Sequence, residues 1–534
     1  MRARASSPRA AMIPGFVFAA AMACAGSAPL TAQEENALGR DVYDRWCASC
    51  HGYEGLGDGY AAEYMLPRPR DFTQALYQIR TTPSGQLPTD DDIMRVINEG
   101  MPGTTMPGWE EELSLEERLA LVDYLKSLSR FFATGEAPEP MTFSSPTRAT
   151  EEALADGREV YELIECNRCH GADGRGDGTS SPTLVDDTGM PIYSVDLTEN
   201  WYFNGGGTVE DIYRRLRTGL DGTPMPSFTD LIDAGVITDE QLWNLSHYVR
   251  SFAPEDPPGI TEVIRAGLVE DAPLPQGVDD PMWESAEAFY IPMGGQIIQS
   301  PRWFVPQVAG LWVRALHDGG ELAVHVSWSD HSESPDTAWA DFQARVLSAV
   351  GPDEGDMEPG PRPDGLYVQF PMEIPEGMDK PYFLLGDPLE PVYLWHWEST
   401  AGAAHEADAR GLGTTAPQGD ASQSLASEAA FSAGRWAVMF RRALETEDPG
   451  DLQFRVGEPV PVGFAAWDGD NGESGSRGSI SSWHYIFLQE PTPATVVVAP
   501  LIATLLTAGL GVLLVARAQR RVREGAEGAD EGNA

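Results

Sequence analysis

Hydrophobic residues recur with a helical period in the part of the chain that ends near residue 253, most clearly in segments 114–128 and 238–252. The first segment begins with Ser114 and Glu117, a spacing typical of a capping box. Its expected buried residues are Leu119, Leu121, Val122, Tyr124 and Leu125. Those of the second segment are Leu242, Leu245, Tyr248 and Val249. Both segments are therefore predicted to be amphipathic helices that close two helical domains, 33–132 and 151–253.

The pattern changes between residues 283 and 490, where short alternating or apolar runs are separated by turns. Runs of this length are typical of β-strands. They are 311–316, 321–328, 365–370, 391–397, 434–440 and 482–488. Since no helical period lies between them, we expect an all-β sandwich. The stretch 399–432 is rich in Ala, Gly, Ser and Thr and is expected to be a long mobile insertion.

One uncharged run lies near the end of the chain. Residues 494–516 carry no charge, and as a helix they span about 34 Å, enough to cross a hydrocarbon core of about 30 Å. Four arginines follow in 517–534, at positions 517, 520, 521 and 523. Because positive residues favour the cytoplasmic side, this tail is expected in the cytoplasm.

The first 32 residues have the composition of a secretory signal. Arg2, Arg4 and Arg9 precede an apolar stretch, and small residues up to Ala32 resemble a cleavage site. Cys24 as a lipid acceptor is an alternative. Segments 133–150 and 254–282 are predicted to be linkers. The fold class expected is a multidomain chain with two all-α domains, one all-β sandwich and one C-terminal transmembrane helix.

The charge balance excludes one class of partner. The chain has 82 acidic and 36 basic residues in 534, a formal net charge of −46. Nucleic-acid binding requires a basic surface, so this class is excluded. Solubility or adaptation to salt explains such a charge, and steering of a basic redox partner is the alternative.

Four of the five cysteines lie in a motif that occurs twice. Cys47 and Cys50 precede His51, and Cys166 and Cys169 precede His170. Cys-x-x-Cys-His is the attachment signature of a c-type haem, in which both sulfurs bond to the porphyrin and the histidine ligates iron. A zinc site or a redox dithiol is the alternative. The motif predicts two covalently bound haem c groups.

A shift of 119 residues aligns the two motifs and their glycine-rich continuations. The same shift aligns Met106 with Met225, both in glycine- and proline-rich loops, whereas nearby Met101 aligns with Leu220. A ligand needed in both copies should occur in both. We therefore expect Met106 and Met225 to be the sixth iron ligands, opposite His51 and His170.

Both helical domains resemble the class I cytochrome c family, on the attachment motifs, the methionine loops and the closing helices. The resemblance implies small all-helical electron carriers with both axial positions filled. It therefore implies outer-sphere electron transfer, and no catalytic residue is assigned. A small activity toward peroxide at an open haem face is an alternative that the two methionines disfavour.

The β region is similar to the haem-b-binding γ subunit family of ethylbenzene dehydrogenase and related type II molybdenum enzymes. The segments that carry the resemblance are 324–330, 368–371, 381–386, 392–397, 461–473 and 482–483. The resemblance implies a sandwich that holds a b-type haem between a methionine and a lysine. It also implies a molybdenum oxidoreductase as partner.

Both implied haem b ligands are replaced in this chain. Leu385 stands where the methionine is expected, and Arg477 is the only basic residue in the lysine segment. Arginine stays protonated and does not ligate iron. Conceivable replacements are His396, His484, Met372 and Met378, and the sole lysine of the region is Lys380. A third haem, of type b, is therefore left open at this point.

The function expected from the sequence is electron transfer by a dihaem c-type cytochrome in the bacterial inner membrane. Its haem and sandwich domains are expected in the periplasm, held by a single C-terminal helix. Expected partners are subunits of a molybdenum oxidoreductase and a soluble cytochrome or quinol-oxidising complex. The alternative is a dihaem cytochrome whose haem-free sandwich is a partner- or ligand-binding module.

Overall fold

A computed structural model describes residues 32–135, 138–350, 357–375, 377, 379–491 and 494–530. Apart from Ala32, the predicted signal segment lies outside the described residues, and so does Met378. The chain forms a helical part, a β region and a C-terminal helix.

The helical part consists of two similar arrays, which we call the first copy (34–132) and the second copy (151–253). Helices of the first copy are α1 (Ala32–Trp46), α2 (Ala48–His51), α3 (Asp90–Glu99), α4 (Leu115–Ser127) and α5 (Arg130–Thr134). Helices of the second copy are α6 (Glu151–Leu163), α7 (Asn167–His170), α8 (Val209–Thr218), α9 (Thr229–Asp233) and α10 (Asp239–Arg250). Each copy has its own apolar core.

In each copy the first long helix (α1 or α6) crosses the closing helix (α4 or α10) at a glycine. A Cβ on Gly39 would lie 2.1 Å from the carbonyl oxygen of Ala120, and a Cβ on Gly157 would lie 2.2 Å from that of Asn244. No other residue allows the helices to approach so closely. The same crossing in both copies gives the repeat a structural basis.

The closing helix α4 has the predicted capping box at Ser114 and Glu117. Its buried residues include Leu121, Val122, Tyr124 and Leu125 but not Leu119, which is 53% exposed. Because each residue turns the helix by about 100°, Leu119 lies about 200° from Leu121, on the opposite face. The prediction that Leu119 is buried was therefore wrong.

The β region contains fourteen strands within the described residues. They are β1 (Val263–Leu268), β2 (Phe289–Pro292), β3 (Gly294–Gly295), β4 (Gly310–His317), β5 (Glu321–Ser329), β6 (Gly365–Pro371), β7 (Val392–Glu398), β8 (His405–Ala409), β9 (Ala416–Pro417), β10 (Ala426–Phe431), β11 (Arg435–Ala443), β12 (Pro459–Trp467), β13 (Ser479–Ile480) and β14 (His484–Leu488). Their order is β10-β11-β5-β4-β1-β14-β12-β6-β7-β8-β9; β2 pairs with β4, and β13 with β12 and β3.

Strand β12 divides this sheet into two halves that face each other. Residues 459–462 pair with β14, and residues 463–467 pair with β6. Across the core between the halves, the rings of Trp328 and Trp397 are 6.1 Å apart and those of Trp395 and Phe440 are 5.6 Å apart. The core is therefore enclosed between two β layers, the arrangement of a sandwich.

Three features of the β region differ from the sequence prediction. Helix α11 (Ala340–Ala349) interrupts the strands and buries Phe342 and Val346, which are four residues apart. The stretch 399–432, expected to be a long mobile insertion, contains β8, β9 and β10, which pair within the sheet. Strand β1 lies in the predicted linker 254–282, where it pairs in parallel with β14 and β4. The prolines of this segment favoured the prediction of a linker over that of a strand.

The two copies and the β region pack against one another. Between the copies, Arg80 and Asp221 form a salt bridge of 2.8 Å. Arg175 of the second copy donates to the Ser329 hydroxyl of the β region over 2.9 Å. From the first copy, Arg68 donates to the carbonyl of Ala349. These contacts hold the haem motifs and the β region in one assembly.

The C-terminal helix α12 (Ala494–Asp530) stands apart from these contacts. Among the described residues it contains the one segment long and apolar enough to cross a membrane, Val498–Arg523, and none of that segment is buried. Apolar side chains on several faces are exposed, including Leu505, Leu506 and Leu513. A helix that is apolar all round requires an apolar environment.

Candidate haem sites

The attachment motif forms a single helical turn in each copy. The amide of His51 donates to the carbonyl of Cys47 over 2.9 Å, and that of His170 donates to Cys166 over 2.9 Å. Positions i, i+3 and i+4 of a helix share one face, so the two sulfurs and the imidazole of each motif are presented together. The next residue, Gly52 or Gly171, has a φ of 75° or 76°, which ends the turn.

A backbone carbonyl fixes the tautomer of each motif histidine. Nδ1 of His51 lies 3.0 Å from the carbonyl oxygen of Arg70, and Nδ1 of His170 lies 3.1 Å from that of Val195. Because a carbonyl only accepts, Nδ1 carries the proton, and the Nε2 lone pair is available to a metal. Burial lowers the pKa of both histidines, which favours the neutral form that ligation requires.

The cysteine environment argues against a redox dithiol. Burial raises the pKa of Cys47 and of Cys166 to about 12. A redox dithiol needs an accessible thiolate, which a low pKa provides. A thioether carries no charge and fits the apolar surroundings of these sulfurs.

The two methionine loops have the same hydrogen bonds. The Thr104 hydroxyl accepts from the Met106 amide over 3.2 Å, as the Thr223 hydroxyl does from Met225. The amides of Met101 and Leu220 donate to the carbonyls of Met106 and Met225 over 3.0 and 3.1 Å. Met101 and Leu220 therefore occupy equivalent positions, and so do Met106 and Met225.

In each copy, residues of the methionine-loop region and of the attachment-motif region pack against the same apolar core. In the second copy, Cys166 and Met225 both pack against the same apolar core. In the first copy, Trp46 precedes the motif, and its ring is 5.2 Å from that of Trp109, three residues after Met106. The predicted residues of each copy thus border a common region, and the donor set fits a haem.

Sequence reasoning missed several residues that hold the motif in place. The hydroxyl of Tyr43 donates to the carbonyl of Gly52 over 2.7 Å, and that of Tyr161 donates to Gly171 over 2.7 Å. These tyrosines recur at a shift of 118 residues, as do the crossing glycines Gly39 and Gly157. A search allowing a one-residue change of register between helix and motif would have found both pairs.

Among the described residues, the cavity beside Leu385 does not fit a b-type haem. Leu385 and the segment around Gly475 line one cavity, but its volume is ≈ 10 Å³, room for about one water molecule. Leu385 offers no ligand atom, and Arg477, in the facing segment, stays protonated.

The other candidate ligands that lie within the described residues, which exclude Met378, make different contacts. Nδ1 of His396 lies 3.1 Å from Nε2 of His405, and Nδ1 of His484 lies 3.0 Å from the carbonyl oxygen of Thr261. The Lys380 ammonium lies 4.3 Å from the ring centre of Tyr485, and Met372 packs against the main core. None of these four candidates lines the cavity beside Leu385.

Comparison with known proteins identifies the class. The family model described as cytochrome c oxidase, cbb3-type, subunit III, matches residues 34–125 and 152–249. The model described as ethylbenzene dehydrogenase matches residues 409–479. Both resemblances inferred from the sequence are confirmed by these matches.

Individual relatives point the same way. Cytochrome c55X of Paracoccus denitrificans is 33% identical over 110 residues, which cover 21% of this chain and 87% of that protein. The chain therefore belongs to the cytochrome c family and is a haem-containing electron-transport protein.

Two further proteins, which are not small cytochromes, are similar to part of the chain. Chlorate reductase subunit gamma of Ideonella dechloratans is 30% identical over 176 residues, and the match spans 32% of this chain and 62% of that protein. A solved chain of the reducing HAO-like protein complex of Kuenenia stuttgartiensis is 45% identical. That match covers 41% of this chain and 96% of the other, with a TM-score of 0.38.

Proposed function

We propose that the protein is a membrane-anchored dihaem c-type cytochrome that serves as the electron-transfer subunit of an oxidoreductase complex. Cys47, Cys50, His51 and Met106 would hold one haem c. Cys166, Cys169, His170 and Met225 would hold the other. The observation that carries this proposal is the duplication, bond for bond, of the histidine–carbonyl contact and the methionine loop.

The residues of each copy would bind and tune the iron without touching a substrate. A bound haem supplies a one-electron Fe(II)/Fe(III) couple. The Arg70 and Val195 carbonyls orient the histidines and increase their basicity, which strengthens ligation. Thioether ligation by the methionines raises the reduction potential relative to two histidines. Held by a histidine and a methionine, each haem would exchange electrons without binding a substrate.

Two segments, one near each terminus, support the placement proposed for the haems. The signal-like segment 1–32 supports export, and the apolar part of α12 supports a single-pass anchor in the bacterial inner membrane. The arginines after residue 516 favour the cytoplasmic side. The haem domains and the β region would therefore lie in the periplasm.

A periplasmic molybdenum oxidoreductase is the proposed catalytic partner. The γ-subunit-like β region and the similarity to chlorate reductase subunit gamma support this assignment. A soluble cytochrome or a quinol-oxidising complex would be the second redox partner.

Haem counting tests the proposal. The full-length protein, purified in detergent, should carry two covalent haems by pyridine haemochrome assay and intact mass. Cys50→Ser or Cys169→Ser should each weaken covalent attachment at one site only. Ser49→Ala, between the cysteines of the first motif, is the matched control and should retain both. A wild-type chain with no covalent haem would refute the proposed function.

The cavity beside Leu385 favours a second role for the β region. Since this cavity accommodates about one water molecule, the region would carry no haem b and would act as a partner-binding module. Solvent extraction of the purified protein should then release no haem. An extractable haem in equal amount to the chain would contradict this role.

A further inference from the structure

One face of α8 is buried against the first copy. Asp211, Arg215 and Thr218 follow one another at helical spacing, and all three are buried. Asp211 accepts from Arg95 over 2.9 Å, and the carbonyl of Thr218 accepts from Arg80 over 2.7 Å, both donors belonging to the first copy. Arg215 thus lies where the two copies meet.

Arg215 has no hydrogen-bond partner among the described residues. All three nitrogens of its guanidinium are buried and unpartnered, and the side chain is 8% exposed. Leaving a charge buried without a partner costs several kcal/mol. A native interior therefore calls for an anion at this position.

The charged neighbours of Arg215 do not supply that anion. Arg95 and Arg214 repel it, and Asp211 already accepts from both of them and from Thr208. Asp92 is held by Thr89 and Thr81 on the first copy. Burial, then these arginines, lower the pKa of Arg215 to about 9.

The haem proposed for the second copy brings suitable anions. Helix α8 leads directly into the Met225 loop, and the loop returns to it where the Phe228 amide donates to the Leu216 carbonyl over 2.8 Å. A haem has two propionate carboxylates, and a guanidinium binds a carboxylate through two parallel hydrogen bonds. The first copy has Val96 at the equivalent position, so only the second copy has this cation.

We propose that Arg215 binds a propionate of the haem in the second copy and raises the reduction potential of that haem. The inference rests on the proposed function, since it requires a haem between His170 and Met225. A cation near the ring disfavours the oxidised state, whose core carries one more positive charge. The two haems would therefore differ in potential because of this position.

Redox titration of the full-length protein tests the inference. Arg215→Met keeps the length of the side chain and removes the charge, whereas Arg215→Lys keeps the charge. Arg158→Met removes an exposed arginine from α6 of the same copy and is the control. Two midpoints are followed by spectroelectrochemistry, and the second copy is assigned from the shift that Met225→His produces. Arg215→Met should lower that midpoint while the haem count stays at two, and Arg215→Lys should give an intermediate value.

Three results would overturn the inference. The midpoints of Arg215→Met could equal those of the control, or the midpoint of the first copy could be the one that falls. The wild-type midpoint could instead vary with chloride or phosphate while that of Arg215→Met does not, which would identify a dissolved anion as the partner. If Arg215→Met does not fold, the midpoints of the wild type, Arg215→Lys and Arg215→Gln are compared instead. Equal midpoints in these three proteins refute the inference. Loss of haem from the wild type would bear on the proposed function alone.

Discussion

The carbonyl that faces each motif histidine determines which ring nitrogen of that histidine can ligate iron. With Nδ1 donating to Arg70 or Val195, only Nε2 remains for iron, and both copies make this contact within 0.1 Å of each other (3.0 and 3.1 Å). The attachment motif alone predicts the histidine as ligand but not its partner, because Arg70 and Val195 lie 19 and 25 residues further along the chain. Folding, and not local sequence, brings them together.

The methionine ligands can be tested one at a time. Met106→Ala and Met225→Ala should each remove one of two methionine–iron charge-transfer contributions from the oxidised spectrum and lower one midpoint potential, because the thioether ligand is lost. Optical spectra and redox titrations measure both effects. Met101→Leu is the matched control, since the second copy already has leucine there, and it should change neither. A spectrum that loses its band in Met101→Leu instead would show that Met106 is not the ligand.

At the scale of elements, the crossing glycines determine how closely the helices pack. Gly39→Ala and Gly157→Ala place a methyl group about 2 Å from a carbonyl of the facing helix, so the helices must separate. We expect each substitution to lower the free energy of unfolding by about 1–3 kcal/mol. This loss exceeds the gain in helix propensity from alanine, which is about 1 kcal/mol. Calorimetry should show a lower unfolding temperature of the affected copy.

Exposed positions on the same helices provide the controls for this prediction. Asp41→Ala on α1 and Glu159→Ala on α6 change residues on the solvent face. They should leave the unfolding temperature nearly unchanged. Equal losses in the control and glycine variants would show that the crossing is not the sensitive point.

Three strand ends bring buried carboxylates together in the β region. Asp330 follows β5, Asp364 precedes β6 and Asp468 follows β12, and carboxylate oxygens of the three lie within 4.8 Å of one another. Burial, and then the neighbouring carboxylates, raise the pKa of Asp330 and Asp468. Burial raises the pKa of Asp364 to about 6. From pH about 4 to about 6 and higher, these three carboxyl groups therefore bind more protons in the folded state than in the unfolded state.

The contribution of these three carboxyl groups to the free energy of unfolding should consequently fall as the pH rises through this window. The slope is up to about 1.4 kcal/mol per pH unit for each such group, because the unfolded state releases its protons first. Denaturant unfolding followed by tryptophan fluorescence at pH about 5 and about 8 measures the difference. Asp468→Asn should reduce the pH dependence and stabilise the protein at the higher pH, whereas the exposed Asp420→Asn should do neither. An equal pH dependence in the wild type and in Asp468→Asn would contradict the assigned direction.

At the scale of the whole molecule, the sequence predicts what local spacing encodes. The repeat, the haem motifs and the apolar C-terminal segment all follow from residues close in the chain. Helix α11 and strand β1 were missed because their burial depends on partners far along the chain, such as β14 for β1. The contacts between the copies and the β region, such as Arg175 with Ser329, have no periodic signal at all. The small cavity beside Leu385 is lined by residues from distant segments, such as Gln296, Leu412 and Ala465, so its size has no signal in the sequence.

The C-terminal helix α12 is expected to anchor the protein in a membrane. Segment Val498–Arg523 exposes large apolar side chains and has none of its surface covered by the rest of the described chain. Its 26 residues span about 39 Å as a helix, more than the hydrocarbon core of a bilayer, about 30 Å. A chain that ends at Glu490 should therefore appear in the soluble fraction with both haems attached, whereas the full chain should require detergent. A chain that ends at Arg523 keeps the apolar segment and should stay with the membrane. Membrane retention of the shorter chain would show that another surface, and not α12, anchors the protein.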